Sequence, residues 1–285
     1  MTPVGRLISI GRRVETGQEI GEQMAQPSYD LTGKVMFVTG AGRAIGRGIA
    51  EVAAECGADV AINALTDRYV NSLAVRVAGE TGQRVVPIIG DVTTPAGARA
   101  AVEAVVREFG RIDVLVNNLG DAIAKPLVAL PGDERLAMTD EEVETVMGLN
   151  LSATIACTRA AGAAMLERRS GTVINIAGMA ARVGGANTVI YTTAKTALTG
   201  FTRALALEWA PFGVHVNAVA PGSFPDPVTS GERYEASMAR AAANAPIGRG
   251  GDVREIGYAV AFLATSEAEY IVGQTLSVDG GVSLL

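Results

Sequence analysis

Short apolar segments alternate with longer alanine-rich segments from Lys34 to the end of the chain. The short segments contain many β-branched residues and few polar ones, a composition that favours strands covered by helices on both faces. The pattern predicts seven strands, at 35–39, 59–63, 85–89, 112–117, 171–176, 214–219 and 275–278.

The alanine-rich segments between these strands predict helices. The fourth helix begins with a capping box formed by Thr139 and Glu142. The predicted helices span 44–56, 67–81, 96–109, 140–168, 189–210 and 252–265. Regular alternation of strand and helix is typical of an α/β protein with a parallel sheet. We therefore predict one doubly wound, Rossmann-type domain over 31–285, with a parallel seven-stranded sheet and helices on both faces.

Two stretches, 121–138 and 223–247, fall outside this alternation. Each follows the carboxyl end of a predicted strand, which is the end where open α/β sheets bind their ligands. We expect both stretches to border the functional site.

Composition and charge narrow the possible functions. The net charge of −6 and the lack of a basic patch argue against nucleic acid as a partner. No apolar run is long enough to span a membrane, and the mixed charges of residues 1–30 suit an N-terminal surface arm. Cys56 and Cys157 lie in predicted helices, so we expect neither a disulfide nor a metal site. Free cysteines suit a reducing compartment, so we expect a cytoplasmic location.

A glycine-rich turn, residues 39–46, joins the first predicted strand to the first predicted helix. Small residues in such a turn let backbone N–H groups and the helix N-terminus approach a pyrophosphate. The position of the turn in a strand–turn–helix unit therefore predicts nucleotide binding.

Tyr191 and Lys195 are four residues apart in a predicted helix, so both side chains lie on one face. A free tyrosine ionises near pH ~10, which is too high for efficient proton exchange at neutral pH. A neighbouring cation lowers the pKa of a phenol, so the pair predicts a general acid/base.

Taken in order, these motifs resemble those of the short-chain dehydrogenase/reductase family over residues 32–285. The turn at 39–46 is similar to the family's Thr-Gly-x-x-x-Gly-x-Gly turn. Asp91-Val92 and Asn117-Asn118-Leu119-Gly120 resemble two further family motifs, and Tyr191 with Lys195 matches the family's Tyr-x-x-x-Lys.

The resemblance implies an NAD(P)-dependent oxidoreductase that interconverts a carbonyl and a secondary alcohol, with Tyr191 as general acid/base. It assigns Asn150 to a proton relay with Lys195, which also holds the nicotinamide ribose. The residues implied to bind the cofactor are Gly40, Gly42, Arg43, Ala44, Ile45, Gly46, Ala64, Asp91, Val92, Asn118, Gly120, Tyr191, Lys195, Pro221 and Gly222. The helices at 140–168 and 189–210 resemble those through which relatives assemble, so a homotetramer is implied.

The choice between NADP and NAD depends on the end of the second strand, where relatives that use NAD carry a carboxylate. Ala64 occupies this position. Arg43 and Arg68 are available instead to bind a 2′-phosphate, so we expect NADP in preference to NAD.

Besides Leu119, which stands where the family has alanine, three positions depart from the family pattern. Ala44 replaces the middle glycine, which the turn tolerates if the backbone φ stays negative. Gly178 replaces the serine that bonds the substrate oxygen, so either a substrate group, water or a residue such as Thr188 substitutes for it or the enzyme is slow, and Gly178→Ser is expected to raise carbonyl reduction. Asp226 stands where relatives carry a threonine, which puts a contact with the carboxamide in doubt.

The sequence leaves the ketone or alcohol substrate open. Gly178, Met179, Thr188 and Phe224 are candidates for the substrate pocket, and Lys125, Arg182 and Arg233 for binding an anionic tail. An alternative function is a nucleotide-binding regulatory or low-activity family member, given the missing serine. Elimination or dehalogenation at a remodelled site is a weaker alternative, since it would not need the glycine turn.

Overall fold

A seven-stranded parallel sheet forms the centre of the protein in a computed structural model, which describes residues 29–129, 131–132 and 136–285. Its strands are β1 (Val35–Val38), β2 (Asp59–Ala64), β3 (Val85–Ile89), β4 (Val114–Asn117), β5 (Gly171–Ile176), β6 (Val214–Pro221) and β7 (Thr275–Val278). Their order across the sheet is β3-β2-β1-β4-β5-β6-β7, with every neighbouring pair parallel. The chain reverses its direction of travel across the sheet between β1 and β4, and such a switch point is where doubly wound folds bind ligands.

Helices cover both faces of the sheet. The helices among the described residues are α1 (Ala44–Glu55), α2 (Val70–Thr81), α3 (Pro95–Phe109), α4 (Asp140–Met147), α5 (Ala153–Arg168), α6 (Val189–Trp209), α7 (Pro227–Ser230), α8 (Tyr234–Asn244) and α9 (Val253–Leu263). Alternate residues of β1 enter opposite cores: Met36 packs with α1, α2 and α9, whereas Phe37 packs with α3, α5 and α6. The two apolar layers explain why the strands are apolar along their whole length.

The predicted fold class is confirmed, with two differences in the helices. The single helix predicted for 140–168 consists of α4 and α5, joined by a π-helical turn at Gly148–Ser152. The stretch 223–247, which carried no predicted helix, contains α7 and α8. The predicted arm at 1–30 lies outside the described residues except for Tyr29 and Asp30, so the division at residue 30 stays a prediction.

Cys56 and Cys157 are both buried and unpaired. Within the described ranges no group of three or more histidine, cysteine or acidic side chains is arranged to hold a metal ion. No helix in the same ranges is long and apolar enough to cross a membrane.

Candidate active site

A cleft of about 600 Å³ opens at the carboxyl ends of the central strands. It brings together most of the residues that the sequence predicted for cofactor and catalysis: Gly40, Gly42, Arg43, Ala44, Ile45, Gly46, Ala64, Asp91, Val92, Asn118, Gly120, Gly178, Tyr191, Lys195, Pro221, Gly222 and Phe224. Asn150, Met179 and Thr188 do not line this cleft. The cleft also contains residues the sequence reasoning missed, among them Thr66, Asp121 and Leu149.

The glycine turn is packed too closely to accept larger side chains. A Cβ on Gly46 would lie 2.6 Å from the carbonyl oxygen of Gly40, and Gly40 itself has a φ of +61°. The turn leads directly into the first turn of α1, whose unpaired N–H groups and dipole favour an anion. This cradle fits the pyrophosphate of a dinucleotide.

Ala44 was expected to fit the turn only with a negative φ, and the structure shows the opposite. Its φ is +48°, in the left-handed region where a Cβ is disfavoured. The turn therefore keeps the backbone shape of a glycine turn even though this position carries a methyl group. The backbone holds this strain beside the cofactor cradle.

Asn118, which directly follows β4, forms hydrogen bonds with the glycine turn. Its Nδ2 donates to the carbonyl oxygens of Thr39 and Gly40, each at 3.0 Å. The Thr39 hydroxyl in turn accepts hydrogen bonds from the backbone N–H groups of Asn118 and Leu119. These bonds fix the glycine turn against β4, so Asn118 lines the cleft as a residue that shapes it.

Arg43 and Arg68 both line the cleft near Ala64, where β2 ends without a carboxylate. The Arg68 guanidinium lies 5.0 Å from the centroid of the Tyr69 ring. Asp91, just after β3, also lines the cleft, and its carboxylate accepts hydrogen bonds from the hydroxyl and N–H of Thr93, which hold its pKa below the usual range. This end of the cleft thus offers two guanidinium groups beside β2.

Tyr191 and Lys195 lie on the face of α6 that borders the cleft, as predicted from their spacing. The Lys195 Nζ is 5.7 Å from the centroid of the Tyr191 ring and donates a hydrogen bond of 2.9 Å to the carbonyl oxygen of Ile176. Burial lowers the pKa of Lys195 to about 8.

The direction predicted for the pKa of Tyr191 is wrong for this structure. Burial raises the pKa of the phenol, and the charge of Asp121 raises it further. The ammonium of Lys195 bonds Ile176 rather than the phenol oxygen, so it does not offset the loss of solvation. Tyr191 is consequently a protonated hydroxyl at neutral pH.

Asn150 lies in the π-helical turn between α4 and α5, a type of helix distortion that is frequent at functional sites. Its Nδ2 donates to the carbonyl oxygens of Val146 and Asp121 at 2.8 and 2.7 Å. Its Oδ1 is buried without a hydrogen-bond partner. A Cβ on Gly120 would meet both the Asn150 Oδ1 and the Lys195 Nζ, at 2.5 and 2.9 Å, so Gly120 allows the two polar groups to approach the same point.

Gly178 occupies the place of the missing serine. A Cβ built on it would lie 3.5 Å from the Tyr191 hydroxyl, so the position does face the proton donor. Its φ of +150° is a conformation that residues with side chains rarely adopt. Thr188 does not replace the serine, because its hydroxyl donates to the carbonyl oxygen of Gly185, away from the cleft.

Asp226 takes part in a buried ion pair that the sequence did not suggest. Its side chain is fully buried, and one carboxylate oxygen accepts a hydrogen bond of 2.8 Å from Arg47 in α1. The other oxygen caps α7 by accepting from the N–H groups of Val228 and Thr229. Arg47 also pairs with Glu51, so this network ties the segment after β6 to the helix that begins at the glycine turn.

Met179 and Phe224, two of the predicted substrate-pocket residues, line a second cavity of about 430 Å³. Phe224 borders the first cleft as well, so the two spaces share a wall. His215, the only histidine, lies on β6 and lines neither cavity.

The parallel sheet, the glycine turn and the Tyr-x-x-x-Lys pair define a nucleotide-dependent oxidoreductase with a Rossmann-type fold. Comparison with known proteins agrees. A family model described as enoyl-(acyl carrier protein) reductase matches residues 40–283. A 3-oxoacyl-(acyl-carrier-protein) reductase of Vibrio cholerae is 38% identical over 256 residues, which cover 90% of this chain and all of the relative.

Solved structures give the same result. A protein of Beutenbergia cavernae, provisionally assigned as an NAD(P)-dependent gluconate 5-dehydrogenase and containing NADP at low occupancy, is 35% identical with a TM-score of 0.80, covering 90% of this chain and 99% of its own. A variant of the actinorhodin polyketide ketoreductase with NADPH is 31% identical with a TM-score of 0.81, covering 88% and 98%. The chain belongs to the short-chain dehydrogenase/reductase family. It is an NAD(P)-dependent oxidoreductase, as its motifs predicted.

Proposed function

We propose that this protein reduces a ketone to a secondary alcohol with NADPH, and that Tyr191 donates the proton to the carbonyl oxygen. The observation that carries the proposal is the single cleft in which the glycine turn, Tyr191, Lys195 and Gly178 all meet. A bound nicotinamide would supply the hydride. The reverse oxidation uses the same groups with the proton moving the other way.

The charge states of the two groups favour the direction of reduction. The raised pKa of Tyr191 keeps its hydroxyl protonated at neutral pH, which suits a proton donor. The pKa of Lys195, about 8, lies close to neutral, so its ammonium can supply a proton for the phenol after transfer through a bridging hydroxyl or water, since Lys195 itself bonds Ile176. The unpaired Asn150 Oδ1 offers the acceptor through which a water would connect this relay to solvent.

Arg43 and Arg68 support NADP as the preferred cofactor, because both guanidinium groups line the cleft beside Ala64. A 2′-phosphate suits a guanidinium through charge-assisted hydrogen bonds, whereas a carboxylate would be needed to hold a free 2′-hydroxyl. The relatives with bound NADP and NADPH agree with this choice.

The substrate proposed is a small-molecule ketone, and the proposed location is the cytoplasm. The proposed assembly is a homotetramer, as the family resemblance implied. Exposed apolar residues at the C-terminus support an interface there, since Leu284 and Leu285 are 87% and 88% exposed.

Replacing Tyr191 by phenylalanine tests the proposal. We expect Tyr191→Phe to lose at least about 10²-fold in NADPH-dependent turnover, because the proton donor is removed while the ring is kept. NADPH and NADH consumption are followed at the nicotinamide absorbance with a panel of ketones and aldehydes, and NADPH affinity by calorimetry. Tyr270→Phe is the matched control, since Tyr270 is fully exposed on the surface.

Retained turnover in Tyr191→Phe would remove this residue from the mechanism. NADPH binding by the unaltered protein without consumption on any substrate would instead support the alternative function as a nucleotide-binding regulatory protein. Glycine in place of the family's serine at position 178 is the observation that favours this alternative.

A further inference from the structure

The second cavity lies beside the carbonyl end of the cleft. Phe224 forms part of the wall of both spaces, and Met179 in the second cavity follows Gly178, which faces the Tyr191 hydroxyl. A substrate whose carbonyl lies at Tyr191 can therefore extend past Met179 and Phe224 into the cavity.

One face of α8 forms the polar wall of this cavity. Ser237, Arg240, Ala241 and Asn244 line it, at helical spacings of three, four and seven residues. The side chains of Ser237, Arg240 and Asn244 form no hydrogen bond with other described residues, so their donors are available to a ligand. The apolar part of the lining consists of Met179, Phe224, Ile247, Val278 and Val282, together with Ala241 and Ala245.

The other charged groups of the cavity already have partners. Arg249 and Glu255 form a two-point ion pair at 2.7 and 2.8 Å. The Asp279 carboxylate accepts from the N–H groups of Gly281 and Ser283, each at 3.0 Å. Arg240 has no ion pair among the described residues. Arg240 is therefore the cation of this lining that has no carboxylate partner among the described residues, whereas the Asp279 carboxylate is already bonded by backbone N–H groups.

We propose that this cavity binds the anionic end of the substrate, with Arg240 as the residue that pairs with it. The substrate class is an oxo acid, in which an aliphatic chain separates the ketone from a carboxylate. The chain would contact the apolar wall, and the carboxylate would accept hydrogen bonds from Arg240 and Asn244. This inference rests on the proposed carbonyl reduction at Tyr191.

The cations expected from the sequence to bind such a tail are placed elsewhere. Lys125 forms an ion pair with Glu142, and Arg182 donates to the carbonyl oxygen of Thr275. Arg233 lines neither cavity. Arg240 was missed because the sequence alone did not show that α8 forms in this stretch.

Turnover of paired substrates tests the assignment. Decanoic acids carrying the ketone at successive positions are compared with their methyl esters, which keep the chain and remove the charge. We expect Arg240→Gln to raise the KM for the best acid about tenfold, as loss of a charge-assisted hydrogen bond requires, and to leave the ester unchanged. Arg240→Lys should restore part of the preference, and Arg233→Gln is the matched exposed control.

Binding gives a readout that does not depend on turnover. Calorimetry on the NADP-loaded protein measures decanoate, methyl decanoate and decylamine. We expect decanoate to bind most tightly, and this preference to vanish in Arg240→Gln. Equal or tighter binding of the ester or the amine would overturn the oxo-acid assignment. If neutral ketones are reduced while acids show no advantage, the inference fails and the carbonyl reduction stands. If no ketone is reduced but decanoate binding depends on Arg240, the proposed reaction and the oxo-acid substrate fail, and the anion site at Arg240 stands.

Discussion

At the scale of single residues, burial sets the charge states of the two candidate catalytic side chains, Tyr191 and Lys195. Tyr191 lies in a site where burial raises the pKa of its hydroxyl, and Lys195 carries its charge in an equally dry environment. Both shifts have the same origin, the loss of water around the ionised form. They hold the pair in the protonation state that a carbonyl reductase needs at neutral pH.

The buried ammonium of Lys195 gives a pH-dependent stability. Its pKa in the folded protein is about 8, below the ordinary value of 10.5, so the unfolded chain binds more protons between these two pH values. Stability contributed by this residue therefore rises with pH through that window. We expect Lys195→Met to be more stable than the unaltered protein at pH 7, by more than about 1 kcal/mol.

Guanidinium unfolding of both proteins at several pH values from 7 to 10.5 measures this difference. The advantage of Lys195→Met should shrink steadily above pH 8. A difference that stays constant over the whole range would contradict the lowered pKa.

Gly178 gives a second prediction, which replaces the expectation drawn from sequence. Because its φ is +150°, a side chain here forces the backbone to move. We expect Gly178→Ser and Gly178→Ala each to lower the free energy of unfolding by about 1–3 kcal/mol, and the serine not to raise ketone reduction.

Denaturant titration and turnover with the same ketone measure both effects. Gly79→Ala, in α2 with open space around it and an ordinary helical φ, is the matched control and should not destabilise the protein. Faster reduction by Gly178→Ser would show that the backbone adapts and that the family's hydrogen bond can be restored.

At the scale of elements, the ion pair between Asp226 and Arg47 connects α7 to α1. One carboxylate thus caps α7, the helix that follows β6, and holds it to α1, the helix of the cofactor cradle. We expect Asp226→Ala to lose about 3 kcal/mol of stability, because it leaves the Arg47 guanidinium without this partner and α7 without its cap.

A double-mutant cycle with Arg47→Met separates the two contributions, since the pair term disappears when both partners are removed. Glu108→Ala is the control, because the Arg84–Glu108 pair is exposed at 3.9 Å and should contribute less than about 1 kcal/mol. Additive effects of Asp226→Ala and Arg47→Met would show that the buried pair contributes nothing.

Some helices, strands and contacts of the structure could be predicted from the sequence, and others could not. The alternation of strands and helices predicted the sheet, because each apolar run indicated a strand that helices cover on both faces. The π-helical turn around Asn150 was not predictable, because the residues at 140–168 favour an ordinary helix throughout. The partner of Asp226 was not predictable either, since Arg47 is 179 positions away in the chain and only the folded structure brings them together.

At the scale of the whole molecule, parallel strands bring distant motifs to one edge of the sheet. The glycine turn follows β1, Asn118 follows β4, Gly178 follows β5 and Pro221 ends β6, so a linear order of motifs becomes one cleft. This convergence explains why residues assigned by resemblance to the family's motifs, which are far apart in the chain, line one cleft. The charge states and the second cavity depend on packing, which the sequence pattern does not record.

Transfer of deuterium from NADPH that carries deuterium at both C4 positions of the nicotinamide tests the central claim most directly. The labelled cofactor is incubated with the ketone that the protein reduces fastest, and the alcohol is analysed by mass spectrometry and NMR. We expect one deuterium at the carbinol carbon of the product, and at least about 10²-fold less labelled alcohol over the same time with Tyr191→Phe. Alcohol formed without deuterium at that carbon, or labelled equally by Tyr191→Phe, would contradict hydride transfer assisted by Tyr191.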